Sequence, residues 1–260
     1  MTTLITTPTA TKSPGQPYAE IVYPESDGKR MSDNTKQARW IIVLYDNLCD
    51  LFQDRADVFV AADNLWYPVQ GEEISNAPDV YVVFGRPKGD RGSYKQWLEN
   101  DIPLTVVFEI LSPSNSYQEM ADKLDFYAEH GVEEYYIYDP DRNRLEVYRR
   151  GMATLAREFP SHGFISPRLG IRFDLSGPEM VVFRPDGKPF RSFELISADL
   201  RRAEKRADDE RQRADDEKQR ADKAEQRAER LAELSRKARR GQASAEELQE
   251  LEQLENDSVS

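Results

Sequence analysis

Two acids carry the chemistry this sequence offers. Asp79 stands in Ala77-Pro78-Asp79-Val80-Tyr81-Val82-Val83-Phe84, and Glu109 in Leu104-Thr105-Val106-Val107-Phe108-Glu109-Ile110-Leu111. A carboxylate at the mouth of an apolar run is ordinary, but Glu109 lies inside one. An ionised carboxylate buried without a partner is so unfavourable that it protonates or finds a cation. Two such acids brought together repel each other, and a hard divalent ion with oxygen ligands would offset that repulsion.

Positioning the acids falls to two strands. Both segments are β-branched and aromatic runs bounded by Gly, Pro and Ser. Both are apolar on each face, as expected of interior strands covered on both sides. Paired antiparallel, they put Phe84 near Leu104 and Asp79 next to Glu109. Alternation then places Asp79, Tyr81 and Val83 on one face, and likewise Thr105, Val107 and Glu109. The following Ser114-Asn115-Ser116 supplies a helix N-cap, and Met120, Leu124 and Tyr127 recur at helical spacing between Gln118 and His130, before Gly131. Lys123 rides on this helix, which folds back over the sheet. A strand from Glu134 to Pro140, a turn at Asp141-Arg142-Asn143 and a strand from Leu145 to Tyr148 come next.

Pro78-Asp79, then Glu109-Ile110-Leu111-Ser112-Pro113-Ser114, a helical lysine and Gly131-Val132-Glu133-Glu134-Tyr135-Tyr136-Ile137-Tyr138-Asp139-Pro140 form an ordered set. Over residues 20–196 this set resembles the bacterial putative restriction endonuclease family of the PD-(D/E)xK nuclease superfamily. The resemblance implies an α/β, restriction-endonuclease-like fold, a mixed β-sheet flanked by helices. It implies a magnesium-dependent endonuclease, with manganese as the alternative ion, that hydrolyses phosphodiester bonds of DNA. Asp79 matches the first acid and Glu109 the second, and both would ligate the metal together with the Ile110 carbonyl. Leu111 stands where the superfamily carries its lysine, and Lys123 is the family's match for the displaced amine. Cleavage of two strands by this fold implies a homodimer. A catalytically inactive scaffold, recruiting a partner through its C-terminal helix, is the competing reading. A third has Asp79 capping a turn and Glu109 ion-paired to Lys123.

The chain of 260 residues has a formal net charge of −12, which excludes a protein that coats nucleic acid by charge alone. Its one cysteine, Cys49, excludes an internal disulfide, and two histidines, His130 and His162, are too few and too isolated for a zinc site. No long apolar run suggests a membrane span or a signal peptide, so a cytoplasmic protein is expected.

Residues 1–18 are rich in Thr, Pro and Ser and are expected to be disordered, with the nuclease-like domain over 19–196. A helix from Ser32 or Asp33 presents Ile41, Leu44, Tyr45, Leu48, Leu51 and Phe52 on one face. A strand follows over Asp57–Ala62, and Asp63 reads as a turn residue, with a place near the metal as the alternative. The loop from Gly85 to Trp97 carries Arg86, Lys88, Arg91 and Lys95 among Tyr94 and Trp97. Those residues suit phosphates and bases, or else a solvated loop anchored by Trp97. It leaves from the strand ends remote from Asp79. Ser112-Pro113-Ser114 reads as a turn and cap. Short strands are expected around 155–159, 168–173 and 180–193, completing the sheet or forming a lid.

From Ser197 to the C-terminus the composition becomes that of a charged, coiled-coil-like helical tail, with Arg-Ala-Asp/Glu recurring every seven residues from Arg206 to Glu229. Its seam is mostly alanine, so a long solvated helix with weak self-association is expected.

Overall fold

The computed structural model describes residues 21–28 and 30–256; the segment 1–18 lies outside the described residues. Helix α1 (Thr35–Leu51) starts later than the sequence suggested, because Asn34 rather than Ser32 or Asp33 is the cap: its Oδ1 accepts from the Gln37 amide at 2.9 Å. Strands β1 (Val58–Ala62), β2 (Trp66–Tyr67), β3 (Val80–Phe84), β4 (Tyr94–Lys95) and β5 (Val106–Ile110) follow. Helix α2 (Tyr117–Glu129) is capped by Ser116. Then come β6 (Glu134–Asp139), β7 (Arg144–Arg150), β8 (Leu155–Glu158), β9 (Arg172–Asp174), β10 (Val181–Phe183), α3 (Phe193–Arg239) and α4 (Ala245–Asn256).

Among the described residues the main sheet runs in the order β1-β3-β5-β6-β7-β8. All neighbours are antiparallel except β5 and β6, which are parallel with α2 as their crossover. The sheet is mixed and flanked by helices, as the sequence implied. Odd and even side chains of its central strands feed two cores. One holds Val80, Val82, Val106, Phe108 and Ile110 with the apolar face of α1. The other holds Tyr81, Val83, Val107 and Ile137 with Tyr127 of α2. β9 and β10 form a separate antiparallel pair, shorter than expected, whose Phe173 and Val182 pack into the α1-side core. They extend that core instead of completing the sheet; only β8 does that.

The long loop between β3 and β5 has an exposed tip, but it turns most of its cations onto the protein itself. Arg86 Nε and Arg91 Nε each donate to Glu99 at 2.7 Å, and Arg91 also lies 3.9 Å over the Phe59 ring. Lys88 Nζ donates to the carbonyls of Phe52 and Gln53. Within the loop β4 pairs in parallel with β2. Three of its four cations are thus committed to the protein itself.

The chain divides between Ser192 and Phe193. In the C-terminal unit, α3 is long and charged, as expected, but Gly241, at φ +67°, turns the chain into α4, which folds back along it. Arg230 meets Glu250 at 2.8 Å, Lys237 meets Glu247 at 2.8 Å, and Leu234 is buried. Ser244 and Glu247 cap α4 reciprocally, side chain to amide in both directions. The far end is therefore a helical hairpin, not a continuation of a single solvated rod. Among the described residues no helix is long and apolar enough to cross a membrane.

Candidate active site

The register of β3 and β5 builds the site. Val80 faces Phe108 and Tyr81 faces Val107, so the ladder extended by one residue sets Asp79 opposite Glu109. Asp79 precedes the strand and follows Pro78, whose ring removes a ladder donor and marks the strand's start. The Ile110 amide donates to Asp79 Oδ2 at 2.6 Å, which ties the first acid to the residue after the second.

Glu109 is 3% exposed, and both its oxygens are bonded. Lys123 Nζ donates to Oε2 at 2.7 Å and the Tyr127 hydroxyl to Oε1 at 2.6 Å. Lys123 and Tyr127 are four apart on α2 and share the helix face turned to the sheet. The structure thus brings Asp79, Glu109 and Lys123 together from three separate elements. Tyr127, expected only as an apolar helix position, is a polar partner of the second acid. Its phenol is buried, and its spacing from Lys123 was the signal for that role.

Ile110 offers its carbonyl to a partner the sequence reading passed over. Gln37 Nε2 donates to that oxygen at 2.8 Å, while Gln37 Oε1 accepts from the Asp33 amide at 2.8 Å. A polar residue within the buried stripe of α1, one turn before Ile41, was the available sign. Asp33 in turn accepts from Ser112 Oγ at 2.7 Å and from Ser114 Oγ. The Ser-Pro-Ser turn is therefore fastened to the start of α1. At its other end α2 is held by Arg150, which donates to the carbonyls of Val132 at 2.7 Å and Ala128 at 2.7 Å.

Asp63 holds the turn leading out of β1. It sits at φ +49°, and its amide donates to the carbonyls of Pro78 and Asp79. Its exposed carboxyl is pushed above the ordinary aspartate value by desolvation and by Asp27, with Lys123 opposing. Its charge also acts on Asp79.

Electrostatics here are set by crowding of like charge. Burial, and then the Glu109 charge, push the Asp79 carboxyl up to about 8, against the Ile110 amide and Lys123, which pull it down. Burial pulls the Lys123 ammonium down, but Glu109 and Asp79 outweigh it, and its pKa stands above the usual lysine value. Two carboxylates and a carbonyl are hard oxygen donors of the kind magnesium accepts. An Asp79 carboxyl pushed toward protonation beside a second buried acid is the state a divalent cation would relieve. Among the described residues no cluster of three or more His, Cys, Asp or Glu side chains could hold a metal. The fit therefore rests on Asp79, Glu109 and the Ile110 carbonyl, with further ligands left to water or substrate.

No curated protein matches the chain. A solved structure described as a putative nuclease belonging to DUF820, from Anabaena variabilis ATCC 29413, is 16% identical, with a TM-score of 0.42. That likeness covers 55% of this chain and 79% of the other. The family model Uma2, described as "Putative restriction endonuclease", matches residues 25–178, a span that holds Asp79, Glu109, Ile110 and Lys123. The chain belongs to the Uma2 family of nucleases.

Proposed function

We propose that this protein is a metal-dependent endonuclease that hydrolyses phosphodiester bonds of DNA. The observation that carries the reading is the convergence of Asp79, Glu109 and Lys123, remote in sequence, on one end of the β3–β5 ladder. Asp79 and Glu109 would hold magnesium, or manganese, with the Ile110 carbonyl as a third oxygen. When bound, such an ion supplies Lewis-acid polarisation of the phosphate and a water of lowered pKa. Gln37 keeps the Ile110 peptide oriented, and Tyr127 keeps the Glu109 carboxylate oriented. The Lys123 ammonium would offset negative charge gathering on the scissile phosphate.

Purified protein with magnesium is expected to nick supercoiled DNA. Asp79→Asn and Glu109→Gln are expected to bring cleavage to background while circular dichroism and thermal unfolding show a folded chain. The direct Lys123–Glu109 contact, which is complete without a metal, favours one other reading: an inactive scaffold in which this pair is purely structural. Calorimetry decides between them, since a scaffold would bind neither magnesium nor manganese. Two-strand cleavage would call for a homodimer, which sedimentation tests directly.

A further inference from the structure

A cavity of about 590 Å³ opens on the α2 side of the sheet, over β6 and β7. Leu111, which follows the Ile110 carbonyl, forms one wall, and Met120, one helical turn before Lys123, forms another. Ile137 on its floor is the β6 register partner of Glu109. Adjacent strands lie about 4.8 Å apart, so the cavity begins one strand from the second acid. Its volume suits a ligand of nucleotide size.

The rim is dressed for such a ligand. Tyr117, at the first position of α2, is 95% exposed. Across the cavity Arg142 and Arg144 have side chains 76% and 57% exposed. The carboxylates of this wall are already met. Asp139 pairs with Arg142 at 2.8 Å and Asp141 with Lys36 at 2.5 Å. Glu146 takes both Arg144 at 2.5 Å and Arg157 at 3.2 Å, so each carboxylate of the lining has a cationic partner. An aromatic face opposite guanidinium groups stacks a base and holds its phosphate.

A base can stack on Tyr117 only if it is outside a duplex stack. We propose that this cavity is the subsite for an unpaired nucleotide next to the scissile bond, so that the protein takes single-stranded or flapped DNA in preference to closed duplex. This rests on the nuclease reading above and narrows its substrate class.

Fluorescence anisotropy of the full chain, with a labelled 15-nucleotide single strand and a labelled blunt hairpin duplex, tests it. The single strand is expected to bind at least about tenfold more tightly. Tyr117→Ala should weaken single-strand binding by about tenfold, and Tyr117→Phe should restore it. Arg142→Ala with Arg144→Ala should weaken binding and flatten its salt dependence. Equal affinity for the two probes, or single-strand affinity indifferent to Tyr117→Ala, would overturn the proposal. Since Tyr117 is exposed, its variants should fold, which thermal unfolding verifies. A chain that binds through Tyr117 yet cuts nothing would keep the subsite and remove the nuclease reading. A chain that cuts duplex freely and ignores Tyr117 would do the reverse.

Discussion

Tyr127 gives its phenolic hydrogen to Glu109 at 2.6 Å, and Lys123, one turn earlier on the same helix, gives one to the other carboxylate oxygen at 2.7 Å. One face of one helix therefore grips both oxygens of the second acid. Tyr127→Phe keeps the ring packed edge-on against Tyr135 and stacked on Trp66, and deletes a single bond to a charged group. Urea denaturation should show a loss of about 1.5–3 kcal/mol. A stability equal to wild type would mean that the bond does not exist in solution.

Asp79 should give the metal-free protein an uncommon pH dependence. Its folded pKa, about 8, lies above the unfolded value of 3.8. The folded state then holds a proton that the unfolded chain has released. Stability from this group is complete below about pH 4 and is lost as pH rises toward 8. Each pH unit is worth at most about 1.4 kcal/mol, less what solvent screens at this half-buried carboxyl. Unfolding free energies measured in chelator from pH 5 to 8 should fall for the wild type and flatten for Asp79→Asn.

Removing the amine should unsettle the fold before it affects any reaction. Lys123→Met leaves Glu109 buried and charged beside Asp79, a loss of about 3–5 kcal/mol for a broken buried pair. Millimolar magnesium should raise the melting temperature of this variant more than that of the wild type, because an ion bound only by the folded state stabilises it. Identical shifts for the two proteins would count against a metal bound at these acids.

The β3–β5 loop should prove a structural clamp. Glu99→Gln leaves Arg86 and Arg91, both largely buried, facing a neutral amide. A loss of about 3 kcal/mol or more is expected by chemical denaturation. A change under about 0.5 kcal/mol would return the loop to the solvent-exposed class.

Much of the site was legible because its signals are local and periodic. A carboxylate inside Val-Val-Phe-Glu-Ile stands out against strand alternation, and the register that pairs Asp79 with Glu109 follows from strand ends alone. Gln37 and Tyr127 were harder to read, since a polar group on an apolar helix face declares its role only once its distant partner is known. The same holds for Arg86 and Arg91, whose charges suggested phosphate until folding placed Glu99 between them. At the C-terminus, Ser244 and Glu247 carry a capping-box spacing that marks α4, but the heptad repeat upstream drew the reading toward one long helix. The β9–β10 pair is too short for alternation to locate its ends.

Carrying the amine on α2 instead of two residues beyond the acid changes what governs its reach. On a strand, backbone geometry would dictate the spacing; here it depends on how a helix beds down between Trp66 at its side and Arg150 at its far end. On the proposed nuclease reading, a substitution in that bedding would weaken cleavage from a distance with Asp79, Glu109 and Lys123 all still present. Loosening the bed by design would then shift the amine relative to the acids while leaving the acids themselves untouched.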